Sequence, residues 1–170
     1  TAASCADLMI MGQPAADRPL VPLDLVEHVL LHSGRPVLVI PYAGTFETIG
    51  RRPLIAWNGG RESARALHDA LPLMNHAKQA RLVMIENGRQ SIEEGPVLRH
   101  LANHGIEGTV ERLVAEDIGV MDLLLARVAD LGSDLLVMGA HGHVGLTGLH
   151  RGAGTRHILR HLTVPALMSH

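Results

Sequence analysis

Aromatic residues are almost missing from this chain: one Trp, one Tyr and one Phe in 170 residues, or 2%. A core of any size must therefore be built from Leu, Val, Ile, Ala and Met. Cys5 is the single cysteine, which excludes an internal disulfide and fits a reducing compartment. No apolar run approaches the ~20 residues that span a bilayer. No charged start, apolar stretch and small-residue cleavage site mark a signal peptide. The formal charge is −2 and no basic block occurs, so the footprint of a nucleic-acid binder is lacking. These absences lead to an expectation of a cytoplasmic α/β protein with neither a membrane nor a nucleic-acid partner. Thr1 falls in mid-pattern with no Met before it, as in a fragment.

What is present is 46% apolar residues, the composition of a parallel sheet covered by helices. An internal repeat decides the architecture. Ala6-Asp7-Leu8-Met9-Ile10-Met11-Gly12 is echoed by Ser133-Asp134-Leu135-Leu136-Val137-Met138-Gly139. His28-Val29-Leu30-Leu31-His32 and Arg35-Pro36-Val37-Leu38-Val39 are echoed by His157-Ile158-Leu159-Arg160-His161 and Val164-Pro165-Ala166-Leu167-Met168. Residues 1–41 read as the closing half of one unit, 42–51 as a linker, and 52–170 as a complete second unit. In that unit the first strand is Pro53–Trp57 and a helix runs from Arg61 to Leu73 with Met74 on its apolar face. The second strand is Arg81–Ile85, and Ser91-Ile92-Glu93-Glu94 has the form of a capping box, with Gly95-Pro96 leaving the helix start open by a turn. That helix ends near Gly105 and the third strand is Thr109–Val114. Asp117 is the expected N-cap of a helix over Val120–Leu131, stopped by Gly132. A fourth strand at 134–138, a helix from about Thr155 to His161 and a strand at 164–168 close the chain. The predicted fold is α/β: a Rossmann-like five-stranded parallel sheet with helices on both faces, preceded by a partial strand-helix-strand repeat. Cys5 reads as a small buried residue at the start of a strand.

Ligands of such folds sit beyond the carboxyl ends of the strands. The glycine segment that leaves the fourth strand, Gly139-x2-Gly142-x9-Gly152, belongs at that edge, where bare amides at a helix N-terminus suit a phosphate. Its position in a five-stranded βαβ unit resembles the nucleotide loop of the universal stress protein family. The carrying residues are Met138-Gly139-Ala140-His141-Gly142-His143-Val144-Gly145-Leu146, Gly152-Ala153-Gly154-Thr155-Arg156-His157-Ile158-Leu159 and Thr163-Val164-Pro165-Ala166-Leu167-Met168. The resemblance covers essentially the whole chain, as a tandem member lacking most of its first copy. It implies an adenine nucleotide, ATP, held by Ala56, Trp57, Asn58, Met138, Gly139, His141, Gly142, His143, Gly152, Ala153, Gly154 and Thr155, in a stress-response or signalling role. No metal is required, and Mg would enter only with the nucleotide. No catalytic residue is assigned, and at most slow ATP hydrolysis is expected. The sequence departs from the family where Ala153 replaces a Ser or Thr and Asn58 replaces an Asp. Thr155 could supply the missing hydroxyl only if its turn rotates inward.

Competing readings remain. The glycines also suit a plain strand-to-helix connection, which would leave an interaction module without nucleotide. The first copy, Gly12-Gln13-Pro14 leading to Pro19 and Pro22, should bind no phosphate, since proline lacks the amide. Asn58-Gly59-Gly60-Arg61-Glu62-Ser63 faintly resembles the loop of adenylating ATP-pyrophosphatases, though a turn with Asn or Gly in the left-handed region and Glu62 in the first helical turn serves equally. Trp57 reads as a packing residue before an adenine contact. His157/His161 and His141/His143 carry no metal signature, and His143 or Arg151 suits a phosphate oxygen better. Val37–Ile40 and Val164–Met168 are apolar last strands, expected to pair with each other within the chain or across a homodimer.

Overall fold

Short runs that are apolar at every position can be buried on both faces only in the middle of a layered sheet. The computed structural model describes residues 5–14, 22–86, 92–114, 119–140 and 152–170. Its elements are β1 (Met9–Gly12), α1 (Leu23–His32), β2 (Val37–Ile40), β3 (Pro53–Ala56), α2 (Arg61–Ala70), β4 (Gln79–Glu86), α3 (Gly95–Asn103), β5 (Glu107–Val114), α4 (Val120–Asp130), β6 (Leu135–Gly139), α5 (Ala153–His161) and β7 (Ala166–Ser169). They form one seven-stranded sheet of order β1-β2-β7-β6-β3-β4-β5. Every neighbouring pair is parallel except β2 and β7, which run antiparallel with Val37 opposite Met168, Leu38 opposite Leu167 and Val39 opposite Ala166. The pairing expected of the two last strands thus occurs within the chain.

Side chains alternate between two cores. Leu54, Val83, Leu136 and Met138 point to the face covered by α1, α4 and α5, where Val26, Leu30, Leu124, Val128, Ile158 and Leu159 meet them. Ile55, Leu82, Met84, Leu135 and Val137 point to the face covered by α2 and α3, against Ala66, Leu67, Val97 and Leu101. Among the described residues no helix is long and apolar enough to cross a membrane.

Several boundaries differ from the sequence reading. Helix α2 stops at Ala70 rather than Leu73, because Pro72 lacks an amide and disfavours a helical residue before it. Met74 still reaches the core through a turn in which its amide donates to the Ala70 carbonyl at 3.1 Å. Helix α3 starts at Gly95 with Pro96 in its first turn, and Glu94 makes no side-chain cap. The Glu94 carboxylate instead pairs with Arg112 at 3.0 Å, while Ser91 lies outside the described residues. Gly119 occupies the N-cap position of α4, and Asp117 lies outside the described residues. Cys5 is exposed, not buried, because the chain joins the sheet only at Met9 and Cys5 precedes it.

One buried carboxylate ties the segment between β2 and β3 to the sheet. Asp134, just before β6, accepts hydrogen bonds from Thr48 Oγ1 at 2.7 Å and from the amides of Arg51 at 3.1 Å and Arg52 at 2.7 Å. The Asp134 amide returns one to the Arg52 carbonyl at 3.2 Å. Replacing Asp134 by Ala strands the donors of a charged acceptor, at a cost of roughly 2–4 kcal/mol. Urea unfolding measures it, and a loss below about 0.5 kcal/mol would show that water replaces the carboxylate at no penalty.

Candidate functional site

The strand order reverses between β3 and β6. From β3 the chain proceeds through α2 to β4 on one side, and from β6 through α5 to β7 on the other. The two helices cover opposite faces, so the carboxyl ends of β3 and β6 flank a switch point where a doubly wound sheet opens a crevice. Ala56 stands beside Met138 in the ladder, which brings Ala56, Trp57 and Asn58 next to Met138 and Gly139.

Each residue there has a local reason for its place. The Trp57 amide extends the ladder by donating to the Val83 carbonyl at 3.0 Å. Its indole packs against the α2/α3 core, and among the described residues its buried Nε1 has no hydrogen-bond partner. Asn58 closes a turn: its Oδ1 accepts the Gly60 amide at 2.9 Å, Gly59 takes φ +71°, and Gly60 heads α2. The Ser63 hydroxyl donates to the Gly60 carbonyl at 2.9 Å, finishing the first turn. Glu62 follows in that turn, and the Arg61 guanidinium hydrogen-bonded to it at 2.8 Å holds its carboxyl below the usual carboxylate range.

The glycines of the rim answer to different constraints. A Cβ on Gly139 would lie 2.7 Å from the Glu62 carbonyl carbon and 2.8 Å from the Ser63 amide nitrogen. Gly139 is therefore needed for the close approach of α2 to β6. Gly152 is left-handed at φ 93° and heads α5, whose first turn has no side-chain cap. Ala153 and Gly154 follow, Gly154 lying over Met121, and Thr155 is buried. The Met138 side chain is buried in the α4/α5 core, leaving its main chain at the rim. His141, Gly142 and His143, together with Arg151, lie outside the described residues. The structure thus assembles the β3 and β6 ends with the first turn of α2, and presents the capless start of α5 on the other face.

The paired histidines have local partners. His157 Nε2 meets Asp122 at 2.7 Å, and His161 Nδ1 donates to the His157 carbonyl at 2.9 Å. Among the described residues no group of three or more His, Cys, Asp or Glu is arranged to hold a metal. Two residues that sequence patterns do not mark, Arg65 and His170, tie the last strand to its surroundings. Arg65 donates to the carbonyls of Gly34 at 2.6 Å and His170 at 3.0 Å, and His170 Nδ1 donates to the Ala140 carbonyl at 3.1 Å. Neither sits in a motif; both contacts exist only once the strands are neighbours.

A mostly parallel sheet with a switch point between β3 and β6 defines a doubly wound, Rossmann-like α/β protein. The chain belongs to the universal stress protein family, whose sequence profile matches residues 64–170. No curated protein matches the sequence. Among solved structures, a universal stress protein from Archaeoglobus fulgidus DSM 4304 is similar over 99% of this chain, with a TM-score of 0.71 and 19% identity. This chain spans 62% of the length of that protein. A universal stress family protein from Burkholderia pseudomallei matches 74% of this chain over 98% of its own, with a TM-score of 0.52 and 23% identity. A functionally unknown protein from Pseudomonas aeruginosa PAO1 is similar over 98% of this chain and 64% of its own, with a TM-score of 0.57 and 20% identity.

The packing role of Gly139 is checked against its repeat partner. Gly12 ends β1 as Gly139 ends β6, yet a Cβ on Gly12 meets nothing within 4 Å. Gly139→Ala should cost about 1–3 kcal/mol by overpacking, whereas Gly12→Ala should be neutral or stabilise by up to ~1 kcal/mol. Equal effects in thermal melts would count against the close approach of α2.

Proposed function

We propose that this chain binds an adenine nucleotide, ATP, at the rim between β3 and β6, through the loop Gly139-x2-Gly142-x9-Gly152, in a stress-response or signalling role. The observation that carries the reading is the switch point itself: two adjacent strand ends, with the connection from β6 leading to a left-handed Gly152 that opens α5 without a side-chain cap. Such a helix start offers amides to an anion. Membership of the universal stress protein family supports the same choice. On this reading Ala56, Trp57 and Asn58 face the base or ribose. Gly142, Gly152, Ala153 and Gly154 give amides to the phosphates, with His141, His143 and Thr155 beside them. Mg would enter only with the nucleotide, and no residue is given a catalytic role.

We also read the chain as the end of one stress-protein domain (residues 1–41), a connection (42–51) and a full second domain (52–170). The matched geometry of β1–α1–β2 and β6–α5–β7 supports this tandem order. The Gln13 amide donates to Ile40 and the Ala140 amide to Ser169, each at 2.7 Å. The Met9 and Leu136 amides donate to the prolines before the closing strands at 3.0 and 2.9 Å.

A second reading, an interaction module that holds no nucleotide, is favoured by two facts. Ala153 has no hydroxyl, and the Asn58 acceptor is already engaged by Gly60. Calorimetric titration of ATP into wild type and Gly142→Val decides between them. The nucleotide reading expects heat with wild type and an affinity at least about tenfold weaker in the variant, a difference of about 1.4 kcal/mol. Silence with wild type leaves the interaction module.

A further inference from the structure

We propose that Glu27 and Arg156 select the pairing of unlike halves across the β2–β7 seam and oppose the pairing of like with like.

The sequence repeat makes Val37, Leu38 and Val39 equivalent to Ala166, Leu167 and Met168. In the antiparallel ladder Val37 faces Met168, Leu38 faces Leu167 and Val39 faces Ala166. Exchanging the two copies therefore reproduces the same register, so a local two-fold axis passes between Leu38 and Leu167. The flanking helices obey it. His28 and His32 on α1 stack with ring centroids 4.3 Å apart, and their counterparts His157 and His161 on α5 lie 4.4 Å apart. In both helices the second histidine donates from Nδ1 to the carbonyl of the first at 2.9 Å.

Glu27 immediately precedes His28 and Arg156 immediately precedes His157, so they occupy one and the same position of the repeat. They meet each other: Arg156 Nε donates to Glu27 Oε1 at 2.8 Å, and Arg156 Nη2 lies 2.5 Å from Glu27 Oε2. Asp24 adds a contact to Arg156 at 3.3 Å. A position that contacts its own equivalent sits on the axis. In a pairing of two second units, Arg156 would face Arg156; in a pairing of two first units, Glu27 would face Glu27. The Glu27 side chain is only 9% exposed, so an unmatched charge there would be poorly hydrated.

Asp24, whose repeat equivalent is the uncharged Ala153, reinforces the distinction from a more exposed position. Main-chain ladder bonds are identical whichever copies meet, and the facing side chains are apolar on both strands. Selectivity between partners of equal backbone needs an attractive contact in one pairing and a repulsive one in the other. The Glu27–Arg156 position supplies both. It makes the half-unit a partner for the second unit of this chain, and it disfavours a homodimer formed through the same strands.

The full 170-residue chain carries the test. Glu27→Arg recreates the Arg–Arg meeting inside one molecule, and Arg156→Glu recreates the Glu–Glu meeting. Amide hydrogen exchange is followed at Val37–Ile40 and Ala166–Ser169, with Leu82–Met84 of the sheet interior as reference. Each single reversal should speed exchange at the seam by at least about tenfold while the reference holds. The double reversal should return to within about threefold of wild type, the signature of a direct pair. Seam exchange unchanged in both single variants, or a double variant no better than the worse single, overturns the proposal. If a single reversal unfolds the whole chain, recovery of folding in the double variant supports it and failure to recover overturns it.

Discussion

The antiparallel contact of β2 with β7 governs the architecture, since it joins a strand-helix-strand half to a five-stranded unit without a break in hydrogen bonding. The side chains that face each other across the two strands are apolar and buried, and either strand alone would leave an open edge of unpaired amides and carbonyls. Their union also merges the cores. Val26 and Leu30 of α1 share one cluster with Ile158 and Leu159 of α5, together with Val37 and Val39 of β2 and Ala166 and Met168 of β7. Arg65 fastens the same region from the other face, reaching the carbonyls of Gly34 and His170.

Much of this was readable because a buried parallel sheet imposes runs of Val, Leu, Ile and Met that few other structures tolerate. Leu135-Leu136-Val137-Met138 is such a run, and all of its side chains are buried. The repeat was readable from the apolar run alone, which recurs in Met9–Gly12 and Leu135–Gly139 although β1 lies at the sheet edge and exposes Ile10. Element ends were less legible where proline intervened. Pro72 ended α2 before its apolar pattern did, and Pro96 moved the start of α3 past the residues that resembled a capping box. Cys5 misled because burial of a small residue depends on whether the chain has yet entered the sheet. Asp134 looked like the start of a strand, and its part as an acceptor for Thr48, Arg51 and Arg52 becomes visible only when the chain returns to it.

The rim residues divide in the same way. That a glycine-bearing loop should follow β6 was evident from sequence, but the reason for Gly139 was not. Its cause lies in α2, an element far away in the chain whose first turn leaves no room for a Cβ. Gly152 answers to backbone handedness, and Asn58 to the turn that starts α2. A single glycine pattern thus combines a packing constraint at Gly139 with backbone handedness at Gly152, and neither of these depends on a ligand.

The carboxylate of Asp134 has one more consequence. By fastening Thr48, Arg51 and Arg52 to the start of β6, it shortens the free tether between β2 and β3 to fewer residues than the sequence offers. A shorter tether confines β2 to a smaller volume around its mate, which raises the effective molarity of the intramolecular encounter over any encounter between separate molecules. A buried acid at the amino end of β6 thereby favours closure of the chain on itself.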